Sequence, residues 1–244
     1  MTSAFGQSYL RLFWCALVML LPRRLKVLAL NLVPGFRVDP TSSIGFSFLC
    51  PARKLVLGPN TVVGHLTFCR GLERLELHSG SRIGNLNWLT GSPRGRQDDP
   101  FLATSPSRVP ELLLAEHAVI THRHYLDCTD SIRIGAGSGI LGFRTLVLTH
   151  SVELSSAQQG CKPIRIGRYC LVATNSVILG GAVLPDCCAL GALSMLRDAH
   201  TRQYTLYSGN PASAVRDLDP TDAFFCRPES QADGSKGDPR VQSS

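Results

Sequence analysis

Aliphatic residues return every six positions along much of this 244-residue chain. From residue 166 the sequence divides into IGRYCL, VATNSV, ILGGAV, LPDCCA and LGALSM, five hexads without a slip. The first position is always aliphatic (Ile166, Val172, Ile178, Leu184, Leu190), and the fifth is always small (Cys170, Ser176, Ala182, Cys188, Ser194). A helix would repeat about every 3.6 residues and a half-buried strand every second residue. A period of six instead belongs to a parallel β-helix, in which each hexad is one short strand plus a corner. Three hexads close a triangular coil. The aliphatic residue points into the prism, and the small fifth residue also turns inward, where space is scarce. Corners ask for residues that tolerate unusual backbone angles, and Gly137, Asn175 and Gly181 fall there.

Upstream the rhythm is looser, with hexads opening at Ile44, Leu57, Val63, Ile83, Leu114 and Ile134, the last followed at six-residue steps by Ile140 and Leu146. Coils pair strand on strand at about 4.8 Å, so the usable length predicts roughly six coils and a prism about 30 Å tall. The expected fold class is all-β, a hexapeptide-repeat triangular prism over residues 41–216. Two stretches leave the rhythm. One is the polar, Pro- and Gly-rich excursion at 91–111; the other, at 149–163, contains His150-Ser-Val-Glu153.

In a solenoid the coils are scaffold, and the loops that leave them carry function. His150 stands at the root of such a loop. Its unperturbed pKa near neutrality suits a general base that takes a proton from an attacking hydroxyl. Glu153 is placed to accept a hydrogen bond from the other ring nitrogen and fix the tautomer. The plainer reading is an ordinary loop histidine beside a solvated carboxylate. In either case, replacing a residue outside the packed interior is expected to cost little stability, within about 0.5 kcal/mol. Cys170 and Cys188 occupy inward small positions and Cys187 a corner, and no histidine lies near them in sequence. Direct transfer between two bound substrates is therefore favoured over a cysteine nucleophile.

The ends differ from the middle. Residues 1–40 are expected to form a helical, amphipathic segment carrying Arg11, Arg23, Arg24, Lys26 and Arg37 against Asp39. The apolar run Tyr9–Leu21 is too short to span a bilayer, and no small-residue cleavage site follows it. Two readings stand side by side for residues 8–33: helices that cap the open end of the core, or a basic, aromatic-rich surface resting on an anionic membrane. Residues 217–244 lose all periodicity, carry six acids and three bases, and are expected to be disordered apart from local docking by Phe224 and Phe225. Net charge is +7, but aromatic-interleaved basic runs are missing, which argues against a nucleic-acid binder. Nine cysteines without a CxxC pair indicate reduced thiols and a cytoplasmic protein, peripheral on the inner membrane face if the second reading of residues 8–33 holds.

The run Ile164–Leu196, the closing Gly209-Asn-Pro-Ala212, and the upstream "ITHRHYLDC" and "LVLTHSVEL" together resemble the hexapeptide-repeat acyltransferases, in particular their sugar and polysaccharide O-acetyltransferase branch. The resemblance covers residues 40–216. It implies a left-handed β-helix, acetyl-CoA as acyl donor, a sugar or surface-polysaccharide hydroxyl as acceptor, and a homotrimer with ligands between neighbours. It puts the general base on His150 and coenzyme contacts at Ala173, Gly191 and Ala192, with Arg197 left to meet phosphate. His124 and Asp127 would line the acceptor side, Asp127 orienting His124 or binding sugar hydroxyls. Relatives tend to have Asp where Glu153 stands, and Lys where Asp198 stands. Two rivals share the fold: a zinc hydrase of the γ-carbonic-anhydrase type, holding metal on three histidines, and a non-catalytic scaffold. The zinc ligand spacing is not evident among the seven histidines, and a dead scaffold would be expected to lack His150. No resident metal is expected.

Overall fold

A computed structural model describes residues 2–95 and 98–227. Three sheets of seven, nine and seven strands, parallel except for the last strand of the second, wrap into a left-handed triangular prism; two antiparallel strands stand outside it. A column of seven inward side chains runs along each face. On the first they are Val38, Leu57, Leu77, Leu114, Ile134, Ile166 and Leu184. On the second they are Ile44, Val63, Ile83, Ile120, Ile140, Val172 and Leu190. On the third they are Leu49, Cys69, Leu89, Leu126, Val147, Ile178 and Leu196. All are buried in one continuous core. The small fifth positions Cys170, Ser176, Ala182, Cys188 and Ser194 are buried with them. The corners at Gly137, Asn175 and Gly181 have positive φ, as do Arg123, Arg144 and Cys187.

The strict period holds only at the C-terminal end. Eighteen positions separate Ile166 from Leu184, but twenty separate Leu57 from Leu77 and Leu114 from Ile134. The two extra residues lengthen the first-face strands, which point two side chains inward, as with Leu75 and Leu77 or Ile132 and Ile134. Leu146, expected inside, is exposed, and Val147 takes its place. A register shift where Val119–His122 pairs with Gly139–Phe143 adds one residue at that corner and moves the phase by one.

Helices α1 (Thr2–Val18) and α2 (Arg23–Asn31) precede the first strand, Phe36–Val38, so the prism begins inside the segment assigned to residues 1–40. Cys15, Val18, Val27, Leu30 and Val33 pack onto Phe36, Val38, Ile44 and Leu49 and close the open end of the core. A solenoid end also exposes unpaired backbone carbonyls. Lys26 donates to Ile44 O and Gly45 O, Arg23 to Thr41 O and Ser42 O, and Arg11 to Ala52 O. Three of the five early cations thus satisfy the first coil, a use the charge pattern did not reveal.

At the other end Ser213–Asp217 folds back antiparallel on Thr205–Ser208. The short helix α3 (Ala223–Cys226) follows, with Phe225 against Tyr204 and Arg227 over Tyr169. Within residues 217–227 Phe224 and Phe225 make local contacts and no residue is buried; residues 228–244 of that expectation lie outside the described residues.

Candidate active site

The break in rhythm is a β-hairpin, His150–Glu153 paired with Gln158–Cys161, leaving the prism after the third-face strand Leu146–Leu148. Its base is tied by Lys162 N to Thr149 O at 2.9 Å. The coil above passes this root closely at Gly180, where a Cβ would lie 2.6 Å from Thr149 O. Only glycine fits there without moving backbone.

His150 is half-exposed, and its Nδ1 lies 2.5 Å from Oδ2 of Asp127, which is 4 % exposed. The same oxygen accepts His150 N–H at 3.2 Å. Asp127 Oδ1 accepts the Thr129 hydroxyl at 2.7 Å, and the Thr149 hydroxyl donates to Asp127 O at 2.8 Å. The hydrogen bond with Asp127 raises the His150 pKa above its ordinary value, against burial, which lowers it. Burial pushes the Asp127 carboxyl up, but the bonds from His150 and Thr129 together outweigh it and hold the pKa below the usual range. With Nδ1–H donated to the carboxylate, the Nε2 lone pair is left free. Among the described residues no hydrogen bond to Nε2 is present; the Phe101 ring stands edge-on to the imidazole at 5.9 Å.

Glu153 does not play the part expected of it. It sits at the hairpin tip opposite Gln158, and its Oε1 accepts from the Ser155 hydroxyl at 3.0 Å. The reason is strand geometry: residues three apart on a strand point to opposite faces, roughly 10 Å apart along the chain. Asp127, one coil below, takes the position beside the imidazole. It faces His150 and not His124. His124 is itself buried, its Nε2 3.0 Å from the Thr121 hydroxyl and its Nδ1 accepting Thr145 N–H at 3.1 Å. Burial, with His122 nearby, lowers its pKa to about 4. Both ring nitrogens are occupied, so the imidazole is neutral and spoken for within the prism wall, beside a cavity lined by Trp88, Arg123, Tyr125 and Arg144.

The residues expected to hold the donor fall into two groups. Ala173 and Gly191 stack at the corner between the second and third faces, one coil apart, with Ala192 following; a Cβ on Gly191 would meet the Ser208 hydroxyl at 2.6 Å. Arg197 lies at the other end of the third face, in the column of Leu148 and Leu179, two coils above the strand that leads into the hairpin. Its Nε is 3.6 Å from Asp198, so part of its charge is already answered.

Residues 101–105 of the polar 91–111 excursion pack on the hairpin. Arg108 is buried, pairs with buried Asp99 at 2.7 Å, donates to Ser92 O and Thr129 O, and stacks over Phe101. The Ser105 hydroxyl accepts Cys161 N–H at 3.0 Å, and the Thr104 hydroxyl donates to Gln159 O. One signal was available: Phe101 and Leu102 are the only adjacent large apolar residues in an otherwise polar stretch. Among the described residues no three His, Cys, Asp or Glu side chains converge as a metal site would need. His78 sits between Glu76 and Glu116, and His122 accepts Asn85 N–H.

No family model matches the chain, and no curated protein matches it. Solved structures do. The polysialic acid O-acetyltransferase OatWY aligns over 75 % of this chain and 84 % of its own, with 16 % identity and a TM-score of 0.54. A putative acetyltransferase of Bacillus cereus aligns over 81 % and 87 %, with 14 % identity and a TM-score of 0.48. A hexapeptide-repeat acetyltransferase of Vibrio cholerae O1 biovar eltor, solved with acetyl coenzyme A, aligns over 89 % and 91 %, with 16 % identity and a TM-score of 0.38. The fold is that of the hexapeptide-repeat acyltransferases.

Proposed function

We propose that this protein is an acyl-CoA-dependent O-acyltransferase, with acetyl-CoA as donor and a hydroxyl of a sugar or surface-polysaccharide precursor as acceptor. The observation that carries this reading is the His150–Asp127 pair, held at a hairpin root with the imidazole half-exposed and Nε2 unbonded among the described residues. Likeness in fold to a polysaccharide O-acetyltransferase supports the class. Nε2 takes the acceptor proton as the hydroxyl oxygen attacks the thioester carbonyl. Asp127 stabilises the imidazolium so formed. As the tetrahedral intermediate collapses, the C–S bond breaks and the thiolate takes that proton back, leaving an ester and free coenzyme A. Backbone N–H groups of the coil are the default donors to the oxyanion. The test is thiol release from acetyl-CoA with and without candidate glycans. Binding of acetyl-CoA with no acceptor-dependent thiol release across neutral and acidic sugars would remove the reading.

A pH dependence follows. Only neutral His150 accepts a proton, and its pKa is raised, so kcat/KM is expected to rise with pH through a limb above the ordinary histidine value of 6.5. Asp127→Asn should shift that limb downward. The stability signs are opposite. His150 contributes stability that is complete below 6.5 and lost as pH rises through its raised pKa, whereas Asp127 contributes stability present above 3.8 and lost as pH falls through its lowered pKa.

The working unit in this reading is a homotrimer. Its support is an outward stripe on the third face, Phe48, Phe68, Trp88, Tyr125, Leu146, Val177 and Met195 in register, with Trp88 half-exposed and Phe48 stacked on Phe68 at 5.3 Å. The hairpin tip also exposes Leu154 almost completely, as a loop reaching a neighbour would. Light scattering should give three times the 26.5 kDa of one chain. A mass of a single chain would remove the shared cleft. A reducing compartment suits nine free cysteines, most of them buried.

A further inference from the structure

The capping helices close the prism with one face and leave the other unexplained. On α1, Leu10, Phe13 and Leu17 recur at i, i+3 and i+7; on α2 and its end, Leu25, Leu28 and Leu32 do the same. All six are between 44 % and 73 % exposed, although the inner faces of both helices already fill the core. A surface helix ordinarily presents polar residues outward, and one that is apolar all round is covered by something. Contiguous apolar patches of this kind are rare on soluble monomers. Between α1 and the turn after α2 the patch deepens into an apolar groove of about 560 Å³. Trp14 lines it, with its indole N–H satisfied by Ala29 O at 3.0 Å and its ring partly open to solvent.

Charge selects the occupant. Residues 1–38 contain five bases and no carboxylate. Arg11, Arg23 and Lys26 are turned to the first coil, but Arg24 and Arg37 are exposed and no ion pair is found for them among the described residues. A second copy meeting this patch through a two-fold axis would set the same uncompensated cations against themselves. No helix among the described residues is long and apolar enough to cross a bilayer. We infer that the outer face of α1 and α2 is a membrane-docking surface that lies in the interface of a bilayer containing anionic lipid. Leu10, Phe13, Leu17, Leu28 and Leu32 enter the acyl boundary, Trp14 sits at headgroup level with its polar edge satisfied, and Arg24 and Arg37 meet lipid phosphate. The inference stands independently of acyl transfer, since none of these residues belongs to the hairpin site.

The experiment is co-sedimentation of the full chain with vesicles of phosphatidylcholine alone and of phosphatidylcholine with phosphatidylglycerol. Binding is expected to the mixed vesicles and to weaken with salt. Phe13→Asp with Leu28→Asp should cut it by at least about tenfold, and Arg24→Gln with Arg37→Gln should cut it by about fivefold per arginine on mixed vesicles only. Because these side chains face outward, circular dichroism should be unchanged. A second readout covers a variant that misfolds: in a Trp88→Phe background, brominated lipid should quench the remaining Trp14. Equal binding to neutral vesicles, absence of Trp14 quenching, or no vesicle binding together with self-association lost in the Phe13/Leu28 variant would each overturn the inference.

Discussion

Replacing His150 by alanine is expected to lower turnover by about 10²–10⁴-fold, the usual worth of a positioned general base, while acetyl-CoA still binds. Steady-state kinetics and a coenzyme-binding isotherm on the same preparation check it. A folded variant that binds acetyl-CoA and transfers at full rate would end the mechanism proposed above. Asp127→Asn should be nearly as damaging, because an amide presenting its N–H to Nδ1 favours the tautomer whose Nε2 carries a proton. Glu153→Gln should leave turnover close to that of the unaltered enzyme, since its carboxylate is engaged by Ser155 at the hairpin tip. The stability consequence departs from that of an ordinary surface change. His150 is half-exposed, but removing it strips a charge-assisted bond from the buried Asp127 carboxylate, so His150→Ala is expected to cost roughly 1–3 kcal/mol.

Arg108→Met is expected to produce the largest loss of stability, about 3–5 kcal/mol by urea unfolding, because it leaves the Asp99 carboxylate buried without its cation. Ser92 O and Thr129 O lose their donor in the same step. Arg108→Met combined with Asp99→Leu should recover much of the loss, since a paired apolar replacement leaves no orphaned charge. The single variant should also lower turnover, because the excursion carries Phe101 against His150 and Ser105 against Cys161. Faster amide exchange over 158–161 would report that coupling. An unchanged unfolding midpoint together with unchanged exchange would show that the excursion neither holds itself nor the hairpin.

Much of the scaffold was legible because a β-helix is built from local repetition. A residue at position one of a hexad meets the corresponding residue of the next coil whatever the rest of the chain does, so Ile166, Val172, Ile178, Leu184 and Leu190 declare their own burial. The root of the interrupting hairpin was legible for the same reason: a strict period makes its own failures visible. Upstream, the two-residue lengthening of the first-face strands blurred the pattern, and the bulge after Ile140 exchanged Leu146 for Val147.

The sequence by itself determined the prism, its inward columns, its glycine and asparagine corners, and His150 as the residue that leaves the wall. Only the tertiary structure decided that residue's partner. Glu153 is three positions away but on the far face of its strand, whereas Asp127 is twenty-three positions away and one coil below. Stacking also brought Phe101 and Arg108 to the hairpin and turned Arg11, Arg23 and Lys26 onto the carbonyls of the first coil. The physical reason is that register within a coil is set by neighbours along the chain, while contacts between coils depend on how many residues each insertion adds. That count fixes which side chains meet across the 4.8 Å or so between stacked strands, and no periodicity in the sequence records it.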